Sequence, residues 1–144
     1  MIIRRMKEED APQVALIEAD NFSVPWSEKS FREAAAKTET IYVVAEEDGE
    51  ILGYAGAWCV FGEADITNVC VRKVSRKQGI GTRMLQFLIE EGVNVEIKTF
   101  FLEVRESNST AISLYEKFGF QKIGVRKNFY EKPVENGIVM SFLQ

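Results

Sequence analysis

Residues 72–90, RKVSRKQGIGTRMLQFLIE, join a basic loop with two glycines to a strongly apolar stretch. The segment before them, DITNVCV at 65–71, is short and rich in β-branched residues, which is typical of a strand. Apolar residues after the loop recur with the spacing of one helix face. We therefore predict a strand, a glycine loop and a helix in direct succession. The helix face consists of Ile80, Met84, Leu85, Leu88 and Ile89.

The loop itself has the properties of an anion site. The first amides of a helix have no intrahelical partner, and the helix dipole favours negative charge there. Gly79 and Gly81 lack Cβ atoms, so ligand oxygens can approach the main chain closely. GxxxxGK[ST] is absent, and Met84 stands where GxGxxG requires glycine. A phosphate site of another kind and a purely structural helix start both remain open. Positive charge surrounds the loop, from Arg72, Lys73, Arg76, Lys77 and Arg83.

Composition excludes several classes of function. The 144 residues suit one domain, residues 1–144, and the net charge of −4 argues against general nucleic-acid binding. The chain has no histidine, which excludes Ser-His-Asp and Cys-His catalysis and HExxH zinc sites, and we expect no metal. The N-terminal residues carry no apolar signal segment, and no apolar run approaches the ~18 residues that span a bilayer. We therefore expect a cytoplasmic protein without a membrane partner.

Turn and cap signals divide the rest of the chain. A DG pair at 48–49 predicts a hairpin, Ser27 is placed to cap a helix, and Gly119 is placed to close another. Two last strands are predicted around a loop that includes Pro133 and the NG pair at 136–137. The predicted order is β-α-α-β-β-β-α-β-α-β-β, an α/β domain with a mixed sheet.

Several segments resemble one enzyme family. RKQGIG at 76–81 matches the [RQ]-x-x-G-x-[GA] acyl-CoA motif of the GCN5-related N-acetyltransferases (GNAT), and the predicted element order is similar to their fold. PWSEKSF, EADITNVCV, FLEVRESNSTAISLYEKFGF and GVRKNFY resemble, in this order, the ribosomal-protein-alanine N-acetyltransferases of that family. The resemblance implies a mixed, mostly antiparallel sheet of about six or seven strands flanked by about four helices.

The same resemblance implies a reaction and its partners. Acetyl-CoA would be the donor, and a protein N-terminus, such as the alanine of a small-subunit ribosomal protein, the acceptor. Acetylation of lysine side chains or small amines, and acyl-CoA binding without turnover, are the alternatives. We expect no nucleic-acid partner, and a monomer or weak dimer. An α-amine (pKa ~7.7–8.0) is far more often neutral at pH 7 than a lysine side chain (pKa ~10.4), which favours the N-terminal acceptor.

Residues for acetyl-CoA follow from the resemblance. The amides of residues 77–82 would hold the pyrophosphate, and the strand at 69–71 would pair with the pantetheine arm. Asn108 would contact the same arm through its side-chain amide, although a simple helix cap explains it as well. The predicted donor-binding residues are Val69, Cys70, Val71, Arg76, Lys77, Gln78, Gly79, Ile80, Gly81, Thr82 and Asn108.

Two residues are candidates for catalysis. Glu103 interrupts the apolar run TFFLEVRE, where neighbours would raise its pKa toward that of a general base; an ion pair with Arg105 is the alternative. The resemblance implies that Glu103 is the base and that Tyr115 is the acid for the leaving thiolate, whereas spacing alone favours Tyr115 as a core aromatic. A main-chain N–H in NVCV would stabilise the oxyanion. Cys70 is rejected as a nucleophile, because direct attack by the amine needs none.

Acceptor residues are expected near aromatic segments and acidic positions. The resemblance places VPW and NFY at the acceptor end, and ordinary packing is the alternative for each residue. Glu63 and Asp65 either attract a positively charged N-terminus or are exposed edge charges. Phe129 stands where related enzymes often have tyrosine, and KPVENGIVM lacks their acidic-alanine turn, so the resemblance leaves peptide selectivity open. The predicted acceptor residues are Phe22, Pro25, Trp26, Glu63, Asp65, Asn128 and Tyr130.

Overall fold

The computed structural model describes all residues, 1–144, as seven strands and four α-helices, with two single-turn 3₁₀ helices at Glu8–Asp10 and Lys73–Ser75. Their order confirms the predicted one. In chain order the elements are β1 Ile2–Arg5, α1 Ala11–Asn21, α2 Glu28–Ala36, β2 Thr40–Glu47, β3 Glu50–Val60, β4 Glu63–Val71, α3 Ile80–Asn94, β5 Thr99–Arg105, α4 Ser109–Phe118, β6 Gln121–Tyr130 and β7 Glu135–Leu143.

One sheet contains all seven strands in the spatial order β1-β2-β3-β4-β5-β7-β6. Every neighbouring pair is antiparallel except β4 and β5, which run parallel across the crossover helix α3. The α/β fold with a mixed, mostly antiparallel sheet is therefore confirmed. None of the helices is both long and apolar enough to cross a membrane.

The two faces of the sheet carry separate apolar cores. The helix face predicted from the sequence is buried along α3 and packs against inward residues of β2, β3, β4, β5 and β7. A smaller core under α1 and α2 centres on Phe31 and Tyr54, whose rings meet edge to face at 5.4 Å. These helices lie over β2–β4, so the same face of β5, β7 and β6 is left without a helix.

Local signals place the ends of several elements as predicted. Ser27 accepts the Ser30 N–H at 3.1 Å and caps α2, and Gly119 ends α4 with φ of 102°. The DG pair at 48–49 turns β2 into β3 with positive φ at both residues. The NG pair at 136–137 was predicted as loop, which is wrong, because Gly137 lies inside β7 and pairs with Arg105.

The prediction was wrong because Gly137 is needed for the close approach of the Phe129 side chain and not for a turn. A Cβ on Gly137 would lie 3.1 Å from the Phe129 ring, so the glycine admits a neighbouring side chain rather than a turn. The connection between β6 and β7 is the short segment 131–134. This turn lies at the same end of the sheet as the loop after β5.

The centre of the sheet opens toward the C-terminal end of β4. Pairing of β4 with β5 runs only from Glu63 opposite Thr99 to Ile66 opposite Leu102. One residue further, Thr67 forms a bulge, because Gly56 and Ala57 of β3 pair with Asn68 and Ile66 respectively. Beyond this point β4 and β5 diverge, and the gap between them is the start of a cleft.

Candidate active site

The cleft between the diverging strands has a volume of about 640 Å³. The bulged part of β4 forms one side of it, and the end of β5 together with the first turns of α4 forms the other. The α1–α2 loop and the β6–β7 turn close its ends. Lining residues from these segments include Phe22, Trp26, Thr67, Asn68, Val69, Glu103, Arg105, Asn108, Tyr115, Tyr130, Glu131, Lys132 and Pro133.

The exposed edge of β4 supplies main-chain groups to the cleft. Arg72 donates its N–H to Leu52 on β3, and main-chain groups alternate sides along an antiparallel strand. Cys70 therefore directs its N–H and C=O to β3, whereas Val69 and Val71 direct theirs away from β3. Of the three residues expected to pair with an extended ligand, only Val69 and Val71 have main-chain groups available for it.

Both cysteines behave as packing residues. Cys59 is half-buried and Cys70 is buried, and neither forms a disulfide. Burial raises the pKa of the Cys70 thiol to about 11, so the thiolate is scarce at neutral pH. This agrees with the rejection of Cys70 as a nucleophile.

The glycine loop presents its amides as expected for an anion site. Gly79 precedes α3 in the left-handed region with φ of 76°, and Lys77 has φ of 65°. The first main-chain bond of the helix runs from Arg83 N–H to Gly79 O, so the amides before Arg83 have no helical acceptor. A Cβ on Gly81 would make only ordinary contacts, at 3.6 Å or more, with Leu114 and Val71. Packing within the protein therefore does not require glycine at 81.

Two of the predicted donor-binding side chains have partners within the protein. Arg76 folds back, donating from Nε to Val71 O at 3.1 Å and from Nη2 to Asn21 Oδ1, so it braces the loop against β4 and α1. Asn108 lines the cleft and also caps α4, since its Oδ1 accepts the Ala111 N–H at 3.1 Å. The cap uses the oxygen and leaves the Asn108 amide N–H groups for a ligand.

Glu103 is a half-buried carboxyl on the cleft side of β5. Desolvation by burial and the nearby Asp65 carboxylate raise its pKa, while the Arg126 guanidinium opposes the rise. Arg126 Nε lies 3.6 Å from Glu103 Oε1. The alternative of a pair with Arg105 is wrong, because Arg105 turns to Glu135 at 3.2 Å. A carboxyl with a raised pKa at the edge of a cleft can act as a general base.

Tyr115 combines the two properties that the sequence left open. Its ring packs edge to face against Phe120 at 5.8 Å between centroids, as a core aromatic does. Burial raises the pKa of its phenol, and the nearby Tyr130 adds to the rise. The residue also lines the cleft, and its hydroxyl has no hydrogen-bond partner within the protein. Every fully buried side-chain polar atom does have a partner, so the hydroxyl is accessible from the cleft rather than enclosed in the core.

The predicted acceptor residues divide into two groups. Phe22, Trp26 and Tyr130 line the cleft, and Trp26 also packs on Phe31 at 5.4 Å. The other four do not line it. Glu63 starts β4 at the end far from the divergence, opposite Thr99. The residues outside the lining are Pro25, Glu63, Asp65 and Asn128.

Asp65 nevertheless belongs to the electrostatics of the cleft. Burial raises the pKa of its carboxyl, Arg126 opposes the rise, and Asp65 in turn raises the pKa of Glu103. Asn128 lies in the irregular part of β6 with φ of 54°, and its N–H bonds to Asn136 Oδ1 at 3.0 Å.

Sequence reasoning missed two buried polar residues beside the cleft. Glu18 accepts the Tyr54 hydroxyl and, at 3.0 Å, the Trp26 N–H, which fastens the α1–α2 loop. Asn68 accepts the Tyr42 hydroxyl at 2.9 Å next to the bulge. The signal for Glu18 was present, because it lies four residues after the buried Val14 on the inner face of α1.

Comparison with known proteins bears on the whole chain. The family model described as acetyltransferase (GNAT) family matches residues 11–120. The chain is 33% identical over 128 residues to the ribosomal protein bS18-alanine N-acetyltransferase of Escherichia coli K12, covering 89% of this chain and 86% of that one. A Bacillus subtilis protein provisionally given the same name is 37% identical over 139 residues, covering 96% and 92%.

Solved structures give the same result for the fold. The crystal structure of the ribosomal-protein-S18-alanine N-acetyltransferase from Escherichia coli superposes with a TM-score of 0.91 at 31% identity, covering 99% of this chain and 92% of that one. A structure of Ard1 from Thermoplasma volcanium has a TM-score of 0.90 at 21% identity, covering 99% and 96%, which shows the shared fold alone.

Proposed function

Because the chain belongs to the GNAT family of acetyltransferases, whose members use acyl-CoA, we propose that it transfers an acetyl group from acetyl-CoA to a protein N-terminus. The acceptor we propose is the N-terminal alanine of ribosomal protein bS18, the substrate named for relatives at 33% identity over most of both chains. The observation that carries the chemistry is a cleft lined by both a carboxyl of raised pKa, Glu103, and a phenol, Tyr115.

The donor fits the main-chain groups that the protein leaves without partners. The amides of residues 77–82 would hold the pyrophosphate of acetyl-CoA, with the dipole of α3 favouring its negative charge. The C=O of Val69 and the N–H of Val71, which no group of the protein occupies, would bond to the amides of the pantetheine arm, as an added strand does. Asn108 would contribute its N–H groups. The thioester supplies an activated acetyl group.

The acid–base steps then fall to side chains on the cleft. Glu103, through a water molecule, accepts a proton from the attacking ammonium group, and the amine nitrogen forms a bond to the acetyl carbon. The N–H of Val69, which points away from β3, stabilises the charge on the carbonyl oxygen. The carbon–sulfur bond breaks and the leaving thiolate takes the proton of the Tyr115 hydroxyl. The second proton, which the nitrogen loses on becoming an amide, returns to the Tyr115 oxygen and restores the phenol. Burial keeps this phenol protonated at neutral pH.

An N-terminal amine suits this cleft for a physical reason. Its pKa of ~7.7–8.0 leaves roughly a tenth of it neutral at pH 7, so one carboxylate has little proton affinity to overcome. The carboxylates of Glu103 and Asp65 both attract an incoming ammonium group. For an enzyme that modifies a ribosomal protein we expect a cytoplasmic location.

The proposal is tested with the purified protein, acetyl-CoA and a peptide pool analysed by mass spectrometry. The pool varies the first two residues, contains the bS18 N-terminal sequence, and includes matched peptides with a blocked N-terminus and an internal lysine. We expect an acetyl mass shift confined to free N-termini and strongest for those that begin with alanine. Modification of lysine in the blocked peptides alone would move the activity to another acceptor class. Binding of acetyl-CoA without transfer to any peptide would contradict the proposed function.

A further inference from the structure

The turn between β6 and β7, residues 131–134, is held in place from the neighbouring strand. Arg105, the last residue of β5, donates from Nη1 to Pro133 O at 3.0 Å and from Nη2 to Glu131 O at 2.9 Å. No other side chain of the protein bonds to a carbonyl of this turn. The planar guanidinium can make both bonds at once because its donors are fixed in one plane.

The same guanidinium makes two further contacts. Its Cζ lies 4.5 Å from the centroid of the Tyr130 ring, a cation–π contact at the last residue of β6. Its Nη1 lies 3.2 Å from Glu135 Oε1, at the first residue of β7. Glu135 in turn accepts the Ser107 N–H on Oε2 at 2.6 Å, which ties the turn to the loop between β5 and α4.

The held residues form part of the cleft surface. Tyr130, Glu131, Lys132 and Pro133 all line the cleft. The main-chain pairing nearest the turn is that of Tyr130 with Glu135, at the two residues that flank it. The turn therefore depends on Arg105 for the position of its carbonyls and of the Tyr130 ring.

We propose that Arg105 and Glu135 form a clamp that fixes the β6–β7 turn as a wall of the acceptor groove, so that Arg105 positions the peptide without touching the reacting atoms. The proposal rests on the function proposed above, since the peptide is the acceptor of that reaction. The clamp is expected to determine how tightly the acceptor peptide binds. Binding of acetyl-CoA and the proton transfers depend on other residues.

The test compares Arg105→Lys and Glu135→Gln with the unaltered protein. Lysine keeps the charge but cannot serve two carbonyls, the carboxylate and the ring together. Kinetics with a bS18 N-terminal peptide should show KM for the peptide raised about tenfold or more, since bonds to charged groups are typically worth that much. The kcat and the KM for acetyl-CoA should change less than about threefold. The control is Arg5→Lys, which alters a comparable pair with Glu91 at 2.9 Å on the opposite edge of the sheet and should leave all three constants unchanged.

Hydrogen exchange followed by mass spectrometry gives a readout that needs no activity. Exchange of the amides at 131–137 should be faster in both variants, while exchange in α3 stays unchanged and shows that the variants are folded. If Arg105→Lys does not fold, the same measurements on Glu135→Gln alone test the clamp. Unchanged exchange at the turn, faster exchange with an unchanged peptide KM, or a fall confined to kcat would each overturn the clamp. An unaltered protein that acetylates no peptide would overturn the proposed function instead, and the clamp's kinetic role with it.

Discussion

Replacing Glu103 by glutamine is the sharpest test of the proposed chemistry. Glutamine has the same shape but cannot take the proton of the ammonium group. General bases typically contribute 10²–10⁴ in rate, so we expect kcat to fall by at least about 100-fold, or about 2.7 kcal/mol in activation free energy. The residual rate of the variant should rise with pH until the substrate amine, of pKa ~8, is itself deprotonated by solvent.

The structure predicts that the same change leaves the fold nearly intact. The Glu103 side chain is 20% exposed. Its one ion pair joins Glu103 Oε1 to Arg126 Nε at 3.6 Å, and the Arg126 side chain is 60% exposed. Pairs this open to water contribute less than about 1 kcal/mol. Desolvation by burial raises the pKa of Glu103, which means that the charged carboxylate is destabilised where it lies. Removing the charge relieves this desolvation cost and offsets part of the stability lost with the ion pair. The free energy of unfolding should therefore change by less than about 1 kcal/mol.

The assay follows release of the free thiol of coenzyme A with a bS18 N-terminal peptide, alongside urea unfolding and calorimetric binding of acetyl-CoA. The control is Glu106→Gln, which alters an exposed glutamate three residues further along that makes no ion pair. It should match the unaltered protein in every measurement. A kcat within about threefold of the unaltered protein would refute Glu103 as the base, because bases typically contribute at least 10²-fold. A fall in kcat that tracks lost stability or lost acetyl-CoA binding would make Glu103 a structural residue.

Two further predictions concern the strand beside the cleft and the charge beside Glu103. A Cβ on Gly56 would lie 2.1 Å from Tyr42 Cε2, so Gly56→Ala should lower the free energy of unfolding by about 3 kcal/mol in urea titrations. Gly124→Ala is the matched control with nothing within 4 Å of the new Cβ, and an equal loss in both variants would contradict the packing. Arg126→Gln removes the cation that lowers the pKa of Glu103, so the NMR titration of the Glu103 carboxyl carbon should move to higher pH. An unchanged or lower midpoint would show that the contact does not form in solution.

Features that were predicted correctly are set by residues close together in the chain. The DG pair at 48–49, the cap at Ser27 and the C-terminal glycine at Gly119 each act within about four residues. The apolar stripe of α3 repeats with the helix period and is buried as expected. Each of these signals agrees with the final fold, which is why the element order could be predicted.

Features that depend on which strands pair with each other could not be predicted from the sequence. Arg105 lies two residues from Glu103 on the same strand, yet its carboxylate partner is Glu135, thirty residues away and brought close by pairing of β5 with β7. The bulge at Thr67 follows from the register against β3. Glu63 and Asp65 look equivalent in sequence, but only Asp65 lies close enough to Glu103 to alter its pKa. Such partners follow from register, which no single segment encodes.

The short pairing between β4 and β5 has a consequence for the lifetime of the protein. The β1–β4 half of the sheet and the β5–β7 half pair at only four residue positions, extended at one end by bonds from Lys98 and Thr99 N–H to Gly62 O. A ligand that occupies the gap bridges both halves, and one that binds only the folded chain adds about 2.7 kcal/mol of stability at a concentration 100 times its Kd. The four-residue contact between the halves is then weakest in the protein without a ligand, so opening of the sheet between β4 and β5, and proteolysis that depends on it, should be fastest in the unliganded protein.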